Sequence, residues 1–231
     1  MTPIRVLSTL AVMGAMRELA TQYETETGIA IDADFAPTVA LLNRLRANEP
    51  ADIAILTAQG IDDLTREGLI RPGSRTDIAL SYVGLAVKAG APRPDIGSVE
   101  ALTATLLAAR AVAYSKIGAS GIFFAGLLDR LGIADAVNAR AVIVPSGFTA
   151  ERLVSGQADL AVQQISELMV VPGIDVIGPL PPEVQTVATF SAGLLAASRQ
   201  SGNARALLRF LASEAIAQVL RRAGLEPPPA S

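Results

Sequence analysis

The chain contains no cysteine and no histidine. The first absence excludes disulfides and thiol nucleophiles. The second excludes a Ser-His-Asp triad, and together they leave almost no route to a zinc site. No Gly-Lys-Ser/Thr loop is present, and GASG at residues 118–121 is not a nucleophile elbow, so P-loop and hydrolase chemistry are not expected. No metal or cofactor is implied. No apolar run reaches the ~20 residues that span a bilayer as a helix, so membrane insertion is not expected. Lys and Arg number 19 against 22 Asp and Glu, with no basic patch, which excludes nucleic acid and anionic membrane as natural partners. Aromatic residues are scarce, at 4%.

The residues that are present describe a packed globule. Of 231 residues, 51% are hydrophobic, mostly Ala, Leu, Val and Ile, enough for one large core or two modest ones. The first third alternates strand and helix patterns. Arg5 to Leu7 reads as a strand. Met13, Met16, Leu19, Ala20 and Tyr23 recur at helical spacing up to a stop at Gly28, and Ile29, Ile31, Ala33 and Phe35 alternate as a strand. Pro37-Thr38 breaks that strand, a helix carries Leu41, Leu42 and Leu45, and Pro50 is expected to end it. Asp52 to Leu56 is a buried strand, and Ile61 to Glu67 a short helix stopped by Gly68. Such a βαβαβα run predicts a parallel sheet with right-handed crossovers.

Two long Val/Leu-rich stretches, Ile78 to Lys88 and Val187 to Ala196, bracket a second α/β run. Its expected strands are 111–114, 141–144, 159–162 and 174–177, and its helices 99–109, 121–131 and 149–154. Two more helices follow, at 204–211 and 214–223. The economical reading is an α/β protein of two lobes. Lobe 1 is residues 1–79 plus 192–231, lobe 2 is the inserted 80–191, and the two long strands are hinge crossings. A single sheet with unusually long strands is the alternative.

Open parallel sheets bind ligands beyond the carboxyl ends of their strands. Four such ends carry small polar residues: Ser8-Thr9, Pro37-Thr38, Ser115 to Gly121, and Gln163 to Ser166. Hydroxyls and free amides at helix starts hold an anion by their dipoles. Each of Ser8, Thr9, Thr38 and Ser120 also reads as an ordinary helix cap, and the glutamines as solvated. The set gains weight only because all four fall at the same strand ends. Among charged groups, Lys116 lies in the third loop and Glu167 follows the fourth. Arg44 is a possible charge partner on the second helix, and Asp62-Asp63 reads as a helix start.

The segments LNRLRANEPADIAIL, VAYSKIGASGIFF and SGQADLAVQQISELMVVPGIDVIGPLP are specific enough to carry a resemblance over essentially the whole chain. They resemble the molybdate-binding-protein-like solute-binding family, and within it the bacterial aconitate isomerase branch. The resemblance implies a type II periplasmic-binding-protein fold with mixed, mostly parallel sheets and the ligand in an interlobe cleft. By position it implies ligand contacts at Ser8, Thr9, Thr38, Ser115, Ser120, Gly121, Gln164 and Ser166. Two departures are notable. Leu10-Ala11-Val12 follows Thr9 where the isomerases are Ser/Gly-rich, which is expected to make the pocket wall more apolar. Lys116 adds a cation.

The first functional reading is an isomerase that shifts a double bond in a small unsaturated carboxylic acid. An allylic shift needs a base, a proton donor and dipoles for the developing charge. Without histidine the base is sought in Lys116 or Glu167, with Tyr114 and Asp34 behind them. The alternative is a solute-binding protein or anion sensor that delivers an oxyanion or carboxylate, for example to an ABC permease, without turnover. A ligand-sensing module of a larger regulator is a third reading. Arg5 followed by VLSTLAVMGAM is charged and apolar like a leader, but no small-x-small site follows and the stretch scans better as strand, loop and helix. The expectation is a cytoplasmic protein, periplasmic if a leader has been removed.

Overall fold

A computed structural model of the chain describes residues 2–229. In chain order the elements are β1 (Ile4–Thr9), α1 (Met13–Thr27), β2 (Ile31–Ala36), α2 (Thr38–Arg46), β3 (Ile53–Thr57), α3 (Ala58–Arg66) and β4 (Thr76–Lys88). There follow α4 (Val99–Ala108), β5 (Val112–Tyr114), α5 (Ala119–Arg130), α6 (Ala134–Asn138), β6 (Val142–Ile143) and α7 (Glu151–Val154). The last are β7 (Leu160–Gln164), α8 (Ile165–Leu168), β8 (Ile174–Pro179), β9 (Val187–Leu194), α9 (Ser201–Leu211) and α10 (Ala217–Arg222). Contacts group the chain into two compact units, Met1–Ser81 with Ala188–Ser231, and Tyr82–Val187. The first crossing falls inside β4 and the second at the start of β9.

In the first unit, β2, β1 and β3 run parallel and β9 adds antiparallel to β3. Both faces of this sheet are covered, which is why its strands read as continuous apolar runs. Ile4, Val6, Ile53 and Ile55 share a core with Met16 and Leu19 of α1 and Leu207 and Leu211 of α9. On the other face Leu7, Ala54 and Leu56 meet Leu41, Leu45, Ile61 and Leu64 of α2 and α3. The alternation along β3 sends successive side chains to opposite faces.

In the second unit β5 pairs in parallel with β6 and β7, and β4 lies antiparallel between β7 and β8. One face packs Val83, Leu85, Val112 and Val162 against Leu102, Leu106, Phe124 and Leu127. The other is an alanine-rich layer, with Ala86, Ala113 and Ala161 under Leu153 and Leu168.

Helix α1 ends where glycine was expected to stop it, with Gly28 at φ 70°. Helix α2 ends sooner than expected. Arg46 is its last residue, and Asn48, at φ 58°, takes the left-handed turn that asparagine tolerates, so Pro50 is not the stop. The QQIS segment is not a loop. Gln163 and Gln164 complete β7, and Ile165 and Ser166 open the short α8.

Candidate functional site

Each unit carries its own polar set at the carboxyl ends of parallel strands. In the first unit Ser8 and Thr9 pair with Phe35 and Ala36, so β1 and β2 end level, and Thr38 opens α2 two residues later. All three hydroxyl residues are buried. Ser8 Oγ donates to the Thr9 carbonyl at 3.2 Å, and Thr9 Oγ1 accepts from Ala11 N at 3.5 Å, capping the 3-10 turn Leu10–Val12. Thr9 therefore also performs the ordinary capping role. Thr38 does not cap α2: Pro37 holds that position, and Thr38 Oγ1 is buried without a hydrogen-bond partner. Ala11 and Val12 belong to the core cluster with Met16, so these two side chains pack into the core rather than add to an apolar pocket wall.

In the second unit the parallel register of β5 and β7 brings Ser115 and Gln164 to one end of the sheet. Ser115 Oγ accepts from Ile117 N at 3.3 Å. Helix α5 begins at Ala119 with Gly118 as its cap, so Ser120 lies inside the first turn, buried. Gly121 is dictated by space: a β-carbon there would lie 1.5 Å from the Ser115 carbonyl oxygen and 2.5 Å from its carbonyl carbon. Only glycine lets the first turn of α5 approach the Ser115 backbone this closely. Ser166 Oγ is buried and has no hydrogen-bond partner, and the buried Gln164 Oε1 faces the Glu167 N–H in a capping box at the start of α8 without making a close hydrogen bond. A buried polar atom left unpaired costs about 1–3 kcal/mol, so such atoms are exceptions that call for an explanation.

Glu167 sits among these groups, 7% exposed, and its Oε2 accepts from Gln164 N at 3.3 Å. Loss of hydration raises its pKa from 4.5 to about 8, against smaller lowering contributions from the Gln164 N–H and the Gln163 side chain. At neutral pH this carboxyl carries a proton that it can donate.

The other charged candidates are placed differently. Lys116 is exposed and makes no ion pair among the described residues. Arg44 bonds Asp34 at 2.5 Å and Glu49 at 2.6 Å, within a cluster that includes Arg5. Its hydrogen bond to Arg44 holds the Asp34 carboxyl below its ordinary pKa and makes it a poor base. Tyr114 donates its hydroxyl to Asn138 Oδ1 at 2.5 Å, and burial pushes its pKa up. Asp62 and Asp63 pair with Arg75 and Arg66.

Sequence reasoning missed a fifth segment at the same end of the second unit. Gln163 Oε1 accepts from Thr149 N at 2.8 Å and from Thr149 Oγ1 at 3.0 Å, and Gln163 Nε2 donates to the Gly147 carbonyl at 3.3 Å. One glutamine thereby fastens the turn after β6 to the end of β7. The available signal was Pro145-Ser146-Gly147, a turn sequence between the expected strand 141–144 and helix 149–154. Ser81 in β4, also fully buried and without a hydroxyl partner, was marked only by being the lone serine in an apolar run. The Tyr23 hydroxyl is likewise unpartnered, but it lies towards the far end of α1 from Thr9, packed on Phe210.

Two α/β units joined by strands, with hydroxyl and amide groups at strand ends, define the type II periplasmic-binding fold. The periplasmic molybdate-binding protein of Azotobacter vinelandii superposes with a TM-score of 0.81 at 18% identity, over 97% of this chain and 99% of that one. The chain belongs to the bacterial extracellular solute-binding protein family, whose model matches residues 4–226. It is 37% identical to an aconitate isomerase of Pseudomonas sp over 235 aligned residues, 99% of this chain and 89% of the relative. It is 23% identical to the molybdate-binding protein ModA of Escherichia coli (strain K12), over 96% of this chain and 88% of that protein. The expected cytoplasmic location finds no support in a family described as extracellular. Among the described residues no helix is long and apolar enough to cross a membrane.

Proposed function

We propose that the chain binds a small unsaturated carboxylate through the hydroxyl and amide donors at the strand carboxyl ends of its second unit and shifts its double bond by proton transfer. The observation that carries this reading is the conjunction, at one end of the second unit's sheet, of the unpartnered Ser166 hydroxyl and the buried Gln164 amide with the desolvated carboxyl of Glu167. Neutral donors suit a carboxylate because they replace its hydration without needing a full counter-charge. In an allylic shift one proton leaves a methylene carbon, the electron pair spreads over the alkene and its carboxylate, and a proton returns to the far alkene carbon. Substrate and product are isomers, so no co-reactant is consumed. Glu167 serves as the group that takes and returns the proton: with its pKa near 8 a minor share of molecules is ionised at neutral pH, that carboxylate takes the methylene proton, and the acid so formed gives it to the far alkene carbon. The relative named aconitate isomerase supports an aconitate-like acid as substrate.

The test is incubation with cis- and trans-aconitate in heavy water, following vinyl and methylene protons by NMR. Interconversion or deuterium exchange above the blank is expected, falling at least a hundredfold in Glu167→Gln. A protein that binds the acids and exchanges nothing refutes the catalytic half. A second reading, solute binding for a permease without turnover, is favoured by the fold likeness to molybdate-binding proteins. Thermal stabilisation by molybdate or citrate with no turnover of any acid supports it, since a ligand bound to the folded state raises the melting point. The family description supports an extracellular or periplasmic place of action under either reading.

A further inference from the structure

The second unit has a concave feature at the end of its sheet opposite the polar set. The polar set follows the carboxyl ends of β5 and β7. A cavity of about 510 Å³ lies where those strands begin, lined by Leu160, the first residue of β7, and by Ala109 and Arg110, which lead into β5. The length of a five-residue strand, roughly 13–17 Å, separates the two places.

Its chemistry is also different. Val87, Leu153 and Leu160 are buried apolar lining. Pro92 and Pro94 line another side, in a segment held in place twice. Arg93 Nη2 donates to the Val176 and Ile177 carbonyls at 2.9 and 3.2 Å, and Thr105 Oγ1 donates to the Asp95 carbonyl at 2.8 Å. A cavity whose boundary is already fixed loses little ordering entropy when occupied. Of the charged lining groups, Arg110 and Asp159 neutralise each other at 2.8 Å, and Arg110 also bonds the Gly156 carbonyl. Lys88, the last residue of β4, has no ion-pair partner among the described residues. The cavity is thus apolar with one uncompensated cation.

We propose that this cavity binds a small amphipathic monocarboxylate, its hydrocarbon body against Val87, Leu153 and Leu160 and its carboxylate on Lys88. The site is independent of the function proposed for the strand carboxyl ends.

The experiment is methyl NMR of the full chain titrated with hexanoate, octanoate and, as a neutral counterpart, octanol. Shifts concentrate at the methyls of Val87, Leu153 and Leu160, and each added methylene tightens binding about fourfold. Lys88→Gln, a change at an exposed residue, weakens octanoate about two- to fivefold and leaves octanol unaffected. Ala108→Trp, at an exposed cavity-lining position, fills the space and abolishes the shifts. Shifts located at the methyls of Thr38 or Thr149, unchanged octanoate affinity in Ala108→Trp, or no chain-length dependence overturns the proposal.

Discussion

Replacing Glu167 by glutamine tests the electrostatic description of the site without reference to any ligand. Glutamine has the same shape and keeps an acceptor oxygen for the Gln164 N–H, but it does not titrate. The folded carboxyl has its pKa near 8 and the unfolded one near 4.5. Below pH 4.5 both states hold the proton and the glutamate has no linkage effect. Between the two values the unfolded chain releases its proton while the folded one keeps it, so the native protein loses stability as pH rises. The slope is about 1.4 kcal/mol per pH unit, which makes the glutamate's burden roughly 3 kcal/mol at pH 7. Above pH 8 the folded carboxyl also ionises and the burden levels off. Glu167→Gln should therefore be the more stable protein by roughly 2–3 kcal/mol at pH 7, with the gain shrinking towards zero near pH 4.5. Urea unfolding followed by circular dichroism at pH 5, 6, 7 and 8 gives the comparison. Parallel profiles for the two proteins, or a variant less stable at pH 7, would refute the claim that burial keeps this carboxyl protonated.

Gly121→Ala places a methyl group inside the Ser115 carbonyl, so the backbone must move; a loss of about 1–3 kcal/mol and of citrate-induced thermal stabilisation is expected in melting curves. Thr149→Val removes the hydroxyl's bonds to Gln163 and to the Val162 carbonyl and should cost about 1–3 kcal/mol in the same urea assay, with weaker anion binding because the turn after β6 is loosened. Ser198→Ala serves as a contrast. Ser198 Oγ donates to the buried Asp52 at 2.6 Å, alongside Arg5 N at 3.0 Å, so stability should fall by about 1–3 kcal/mol while ligand affinity stays the same.

Periodicity located nearly every long element, because burial on both faces of a sheet and on one face of a helix leaves a pattern in the residues themselves. Two short helices escaped it, α6 of five residues and α8 of four, which have too few turns for a helical repeat to register, whereas the equally short α7 was expected within 149–154. The ends of elements were less legible where a single residue decides. Asn48 rather than Pro50 terminates α2 because the left-handed turn comes before the proline is reached.

From residue types alone the chain is confined to hydroxyl, amide, carboxyl, amine, guanidinium and phenol chemistry, since it has neither imidazole nor thiol, and most of its candidate groups fall at strand ends. Which of those groups is free was decided only by the tertiary structure. Thr9 and Ser115 look equivalent to Thr38 and Ser166 in the sequence, yet the first two accept local backbone bonds and the last two have buried hydroxyls with no partner. Glu167 is one acidic residue among many until burial makes it a proton donor at neutral pH, and Gln163 is one of two adjacent glutamines until the turn at Thr149 folds onto it. Burial, and with it the cost of an unmet hydrogen bond or an ionised carboxyl, is set by neighbours distant along the chain, so a local pattern does not encode it.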